Sequence, residues 1–160
     1  MQRNDMAARR KLNLTRRILL KGGVAALALL GLPGILLAGA WPKAAFESTA
    51  ASEALAKLFG TDRTTHSDEI TLSAPLVAED GSIVPISVAT TLEAVRSISI
   101  VVNNNPRPLA ATFEIPPGTL PEIACRIKMA ETSEVMAVVH SDSGIFSTSA
   151  RVKVTLGGCA

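Results

Sequence analysis

Between Ser48 and Gly60 the apolar residues Leu55, Leu58 and Phe59 recur at helical spacing. With Ser48 or Thr49 as N-cap and Gly60 as stop, this predicts one short amphipathic helix. After Thr61 the period drops to two, in short runs rich in Val, Ile and Thr. These runs predict strands over residues 69–75, 82–90, 94–103, 109–115, 121–130, 132–140 and 145–156. Turn chemistry separates them at Glu79-Asp80-Gly81, Asn103-Asn104-Asn105-Pro106, Pro116-Pro117-Gly118 and Ser141-Asp142-Ser143-Gly144. Seven short strands at hairpin spacing predict an all-β fold, an immunoglobulin-like antiparallel β-sandwich opened by a short N-terminal helix.

Alternation within two strands predicts which side chains enter the core. Ile123, Cys125, Ile127 and Met129 share one face, while Arg126 and Lys128 share the other. Cys125 therefore reads as a small core hydrophobe. In the last strand Val152, Val154 and Leu156 point one way and Arg151, Lys153 and Thr155 the other. The strand then gives way to Gly157-Gly158-Cys159-Ala160, a flexible C-terminal arm over residues 157–160.

Composition narrows the function. The chain has 160 residues, enough for one globular domain and a modest appendage and too few for a multidomain enzyme. Four Phe, one Trp and no Tyr leave no aromatic platform for stacking bases or sugars. The formal charge of +2 is unevenly divided, because residues 1–40 hold seven of the 16 Lys/Arg and one of the 14 Asp/Glu. Nine bases and 13 acids remain in residues 41–160, a net charge of −4, so nucleic-acid binding has no electrostatic basis.

The leader itself has the three parts of an export signal. Basic residues lead into Thr15-Arg16-Arg17-Ile18-Leu19-Leu20-Lys21, an apolar run follows from Val24 to Leu37, and small residues Ala38-Gly39-Ala40 close it. The paired Arg16 and Arg17 resemble a twin-arginine address, which predicts a signal peptide over residues 1–40, a body over 41–156 and a periplasmic location. An uncleaved anchor is the competing expectation, although Gly31, Pro33 and Gly34 dilute the apolar run. Twin-arginine export carries folded chains, and no cofactor motif is present, so export with a partner subunit is expected.

Three readings compete for Cys159: a frayed terminus, a disulfide with Cys125, and a tethered carrier thiol. The disulfide is disfavoured because Cys125 faces the core and a bridge needs Cα atoms within about 7 Å. A glycine tether beyond a core strand is what a covalent carrier requires. No His or Arg lies within three residues of Cys159, so any activation of the thiol comes from a partner. A free thiol there also allows a Cys159-linked disulfide dimer. His66 and His140 are far apart and read as solvated; no metal-ligand spacing appears. Asp68-Glu69 and Glu79-Asp80 read as solvated acids rather than a catalytic pair, and no Ser/His/Asp frame is recognisable. An exported binding or structural sandwich without carrier chemistry is the alternative from another class, with an enzyme third.

Several segments carry a family resemblance over essentially the whole chain. They are the paired-arginine leader, Asn105-Pro106-Arg107-Pro108-Leu109-Ala110-Ala111-Thr112-Phe113, Pro116-Pro117-Gly118-Thr119, Arg126-Ile127-Lys128-Met129-Ala130-Glu131-Thr132-Ser133 and Val152-Lys153-Val154-Thr155-Leu156-Gly157-Gly158-Cys159. Together they resemble the SoxY family, the sulfur-carrying subunits of periplasmic thiosulfate oxidation. The resemblance implies a heterodimer with a SoxZ-like subunit, Cys159 as the sulfur-bearing residue, and Gly157 and Gly158 as its arm. It also implies a haem-containing conjugating enzyme, a dimetal sulfate-releasing hydrolase and a sulfane dehydrogenase as partners, no cofactor beyond the covalent sulfur adduct, and no catalysis by the chain itself. Family members usually continue Gly-Gly-Cys-Gly-Gly, whereas Ala160 follows Cys159 here. A divergent carrier serving another dehydrogenase-linked pathway is the expectation attached to that departure.

Overall fold

Two central strands are largely buried on both faces, and this organises the fold. The computed structural model describes residues 41–157. Its helices are α1 (Lys43–Phe46) and α2 (Ala51–Phe59). Its strands are β1 (Thr65–His66), β2 (Ile70–Ser73), β3 (Val77–Asp80), β4 (Val84–Thr90), β5 (Val95–Val102), β6 (Leu109–Glu114), β7 (Glu122–Ile127), β8 (Ser133–Ser141) and β9 (Gly144–Leu156). The larger sheet runs β1-β9-β8-β5-β6, with β3 also on β9, and the smaller runs β2-β4-β7. The chain divides into two units, Met1–Trp41 and Pro42–Ala160, and all of these elements belong to the second.

Alternation assigns the two faces of β5 and β8. Ile98, Ile100 and Val102 with Val135, Ala137 and Val139 meet Val84, Ile86 and Val88 of β4 between the sheets. The intervening Val101 and Val138 turn outward, where Leu109, Ala45, Ala54 and Leu55 cover them. Around Val101 and Val138 the sheet is thus covered on both faces without a third sheet, and a fully buried Leu such as Leu55 contributes about 1.5–3 kcal/mol to that cover. The fold is an all-β immunoglobulin-like sandwich with two short helices on one outer face.

Particular expectations need correction. The helix starts at Ala51 after Ala50, which makes no side-chain cap. Ser48 is buried and donates its hydroxyl to the Ala44 carbonyl at 3.0 Å, within the turn that α1 makes. Gly60 does end α2, in the left-handed region at φ 78, with its N–H donating to Ala56 O at 2.9 Å. Residues 75–81 contain the unanticipated strand β3, and residues 65–66 the short β1; both pair in parallel with β9, so the sandwich is antiparallel except along that edge. The strand expected from 82 begins at Val84, because Asp80 Oδ1 accepts the Ser82 N–H at 2.7 Å and forms a turn that leaves Ile83 exposed. The strand expected to run through 130 ends at Ile127.

Candidate functional site

The last strand is held differently along its length. From Gly144 to Val152 it pairs antiparallel with β8, ending at the Ser133–Val152 register. Beyond that point β3 takes over in parallel, with Val77, Ala78 and Asp80 opposite Lys153, Val154 and Leu156. Lys153 N–H donates to Leu76 O at 3.0 Å. On the other side the Thr132 hydroxyl replaces the missing β8 ladder: it accepts the Val154 N–H at 3.0 Å and donates to Val154 O at 3.4 Å. The strand is therefore bonded on both sides as far as Val154 and along β3 to its final residue.

Gly81 joins this strand end to the core. Its N–H donates to Leu156 O at 2.8 Å, and its carbonyl accepts the Met129 N–H at 2.7 Å. The Met129 side chain is fully buried. One turn of the chain thus ties the root of the C-terminal arm to the interior. The Ser82 N–H and hydroxyl hold the neighbouring Asp80 carboxyl below the usual carboxylate range.

Behind Met129 lies Asn105, a buried polar residue with both ends of its amide engaged. Its Nδ2 donates to Lys128 O at 2.8 Å, and its Oδ1 accepts the Ala130 N–H at 2.9 Å. The amide replaces a ladder partner for the segment that leaves β7 after Ile127. Asn104 adds a second tie, from its Nδ2 to Thr132 O at 3.1 Å and from its N–H to Ser133 Oγ at 3.0 Å. The Asn-rich turn and the Lys128–Ser133 run, distant in sequence, meet around Ala130, beside Gly157.

Gly157 follows directly. A Cβ built there would run into the Ala130 carbonyl oxygen and lie 3.3 Å from its carbon. The backbone of Gly157 passes so close to Ala130 that no side chain fits. This steric demand is separate from the conformational freedom that the sequence suggests. Gly158 and Cys159 lie outside the described residues, as do Ala160, Arg16, Arg17 and the rest of residues 1–40.

The other sequence candidates are dispersed. Cys125 is a half-buried free thiol on β7 whose side chain packs against the core, and burial pushes its pKa up. It opens toward two shallow cavities of about 630 and 410 Å³, which flank β7 on either side of Arg126. A raised pKa favours the neutral thiol, so at pH 8 the folded chain holds less reactive thiolate than the unfolded chain. Iodoacetamide should therefore label Cys125 more slowly in the native protein than in urea; equal rates would contradict this environment. His66 is exposed, with Nε2 3.3 Å from Asp68 Oδ1. His140, expected in solvent, is half-buried against Phe59 with ring centroids 5.4 Å apart. Its β8 position shares the helix-covered face with Met136 and Val138, which the short alternation at that strand's end concealed. Asp68, Glu69, Glu79 and Asp80 are exposed.

The comparisons with known proteins bear on the same segments. The family model described as sulfur oxidation protein SoxY matches residues 55–159. Among solved structures, the sulfur carrier protein SoxY from Chlorobium limicola f thiosulfatophilum is 35% identical, with a TM-score of 0.59 over 64% of this chain and 94% of its own. A superoxide reductase (neelaredoxin) from Ignicoccus hospitalis aligns at 17% identity and a TM-score of 0.49, over 66% of this chain and 89% of its own. No curated protein sequence matches.

Proposed function

Because the chain belongs to the SoxY family of sulfur oxidation proteins, we propose that it carries thiosulfate-derived sulfur covalently on Cys159 and presents it to enzymes of the pathway. The observation behind this reading is a family match that extends through Cys159, on a strand anchored up to Leu156. A firm root with a short glycine-containing tether suits a carrier. The root fixes where the cargo is offered, and the tether lets it enter a partner's active site.

The chemistry is supplied by partners and received by the thiol. In the first step a haem-containing enzyme removes two electrons as a sulfur–sulfur bond forms: Cys159–SH and thiosulfate give Cys159–S–S–SO3−, one proton and two electrons. In the second, water attacks the terminal sulfonate sulfur at a dimetal hydrolase. Sulfate and a proton leave, and Cys159–S–SH remains for a sulfane dehydrogenase or another acceptor. The chain contributes attachment, reach and a recognition surface, and is no catalyst. Holding the intermediate on a tether keeps a small anion at high local concentration for successive sites. In this reading the chain is exported through Arg16 and Arg17 by the twin-arginine route and works in the periplasm with a SoxZ-like second subunit.

Intact-mass spectrometry tests the proposal. Mature protein is isolated without reductant from cells grown on thiosulfate, and its C-terminal peptide is mapped. Thiosulfonate or persulfide adducts are expected on Cys159 and none on Cys125. An unmodified Cys159 under those conditions would favour the exported binding module instead.

A further inference from the structure

Three of the nine bases in residues 41–160 line one cavity, and none of the 13 acids does. The cavity, of about 410 Å³, lies between β6 and β7. Among the described residues β6 pairs only with β5 and β7 only with β4, so each presents a free edge. The cations are Arg107, Arg126 and Lys128, all exposed. Among the described residues none of them forms a salt bridge, whereas Lys43, Lys57 and Arg96 each hold a carboxylate. Without a carboxylate among them the three repel one another, and an anion entering the cleft relieves that repulsion.

Asn105 builds the cluster. Arg107 follows it by two residues in the Asn-rich turn, and the Lys128 carbonyl accepts from Asn105 Nδ2 at 2.8 Å. Arg126 precedes Lys128 by two residues, so their Cα atoms stay within about 7 Å. One buried amide thus draws cations from two distant segments to the same cleft. The remaining lining is of opposite character, because Ala110, Phe113, Cys125 and Ile127 all pack with the hydrophobic core. Burial keeps the Cys125 thiol neutral, so it adds no negative charge. The larger cavity across β7, of about 630 Å³, is lined by one cation, Arg126, and has too little charge for the same role.

This combination selects a class of ligand. Guanidinium forks match the oxygens of a tetrahedral oxoanion, and a lysine adds a point charge. An apolar lining favours an anion with one weakly hydrated end over an anion hydrated all round. The geometry points to the cleft between β6 and β7 as a binding site for an oxoanion with one soft sulfur end. Its oxygens meet Arg107, Arg126 and Lys128, and its sulfur meets Phe113 and Cys125. Free thiosulfate presents this chemistry. A thiosulfonate borne on Cys159 presents it too, because Gly157 abuts Ala130, two residues past Lys128. The site stands on charge and lining, and does not depend on covalent attachment at Cys159.

The test uses the Cys159→Ser chain, purified with any subunit that accompanies it and titrated calorimetrically with sodium thiosulfate at constant ionic strength. Saturable binding is expected, tighter than that of sulfate, with amide NMR shifts at Ala110, Ala111 and from Cys125 to Lys128. Arg107→Gln with Lys128→Gln should weaken it about tenfold, as loss of charged contacts does. Arg63→Gln with Arg151→Gln removes the same charge outside the cleft and should leave binding as it was. All four altered residues are exposed, so thermal unfolding should match the parent. No saturable binding, equal affinity for sulfate and thiosulfate, or equal weakening by the two pairs would overturn the site. The chain with Cys159 intact then separates the two sources. Tetrathionate loads it, the thiol attacking the central sulfur–sulfur bond to give Cys159–S–S–SO3−, thiosulfate and a proton, and peptide mapping verifies that Cys125 is free. Weakened thiosulfate binding by the loaded chain, with the same amide shifts present beforehand, assigns the site to the arm-borne group. Undiminished binding assigns it to the free ion. An unmodified Cys159 in cells grown on thiosulfate would sink the carrier reading and leave this site standing.

Discussion

Asn105→Ala is expected to lower the unfolding free energy by about 2–4 kcal/mol, far more than an ordinary loop substitution, which falls within about 0.5 kcal/mol. Asn105 is 7% exposed, and its amide serves the Lys128 carbonyl and the Ala130 N–H at 2.8 and 2.9 Å. Alanine removes both bonds and leaves two partly buried backbone groups without their partner. Leaving a buried group unsatisfied costs about 1–3 kcal/mol, against roughly 1 kcal/mol for the net worth of a typical hydrogen bond. Asn105→Asp distinguishes the two ends of the amide. It keeps an acceptor for Ala130 N–H, but at neutral pH it turns a carboxylate oxygen toward Lys128 O, so it too should destabilise. Urea unfolding of both variants reads the effect as a lower midpoint at constant m. A midpoint within error of the parent would mean that the Asn-rich turn merely connects β5 to β6.

Gly157→Ala is expected to slow delivery of Cys159-bound sulfur by about 10- to 100-fold, the penalty that a misplacement of roughly 1 Å carries in a positioned reaction. The added methyl runs into a backbone carbonyl, which cannot rotate away as a side-chain tip would. The chain must shift at Gly157, at Ala130, or at both. Because Gly157 follows the last paired position of β9, a shift taken up there leaves global stability barely changed, whereas one taken up at Ala130 would strain its N–H bond to Asn105 and lower it. The check is single-turnover sulfur transfer from the loaded variant, alongside a thermal unfolding curve. Parent-like transfer would show that the close approach to Ala130 is dispensable. Slow transfer accompanied by slow alkylation of Cys159 by iodoacetamide would locate the fault in access to the thiol rather than in its placement.

Much of the fold is legible in the sequence because burial here follows simple alternation. Ile123, Cys125 and Ile127 face inward and Arg126 outward, as period two predicts, and Gly60 ends its helix in the conformation that glycine favours. What escapes is structure held by few buried side chains. β3 buries only Ala78, and β1 buries neither of its residues, so neither leaves a hydrophobic signature. The signal Glu79-Asp80-Gly81 reads as a turn, and it is one, but two of its residues also end a strand. Sequence marks Cys159 through its setting after a strand and two glycines. The network that carries the arm is not visible there, because Gly81, Asn105 and Thr132 act through backbone groups of residues distant in the chain, and periodicity is silent about those.

The pairing of β3 with β9 has a mechanical consequence. If Cys159 carries sulfur as proposed, an enzyme that draws on it loads the end of β9 along the strand axis, the direction in which strand-to-strand bonds are loaded in shear. The bonds from Lys153 to Leu76 and from Gly81 to Leu156 then share the load with the Thr132 hydroxyl, and Gly81 passes it on to Met129 in the interior. Without β3 the strand end would peel bond by bond under the same tension. Anchored as it is, the end of β9 can bear such tension while the sandwich behind it keeps its shape.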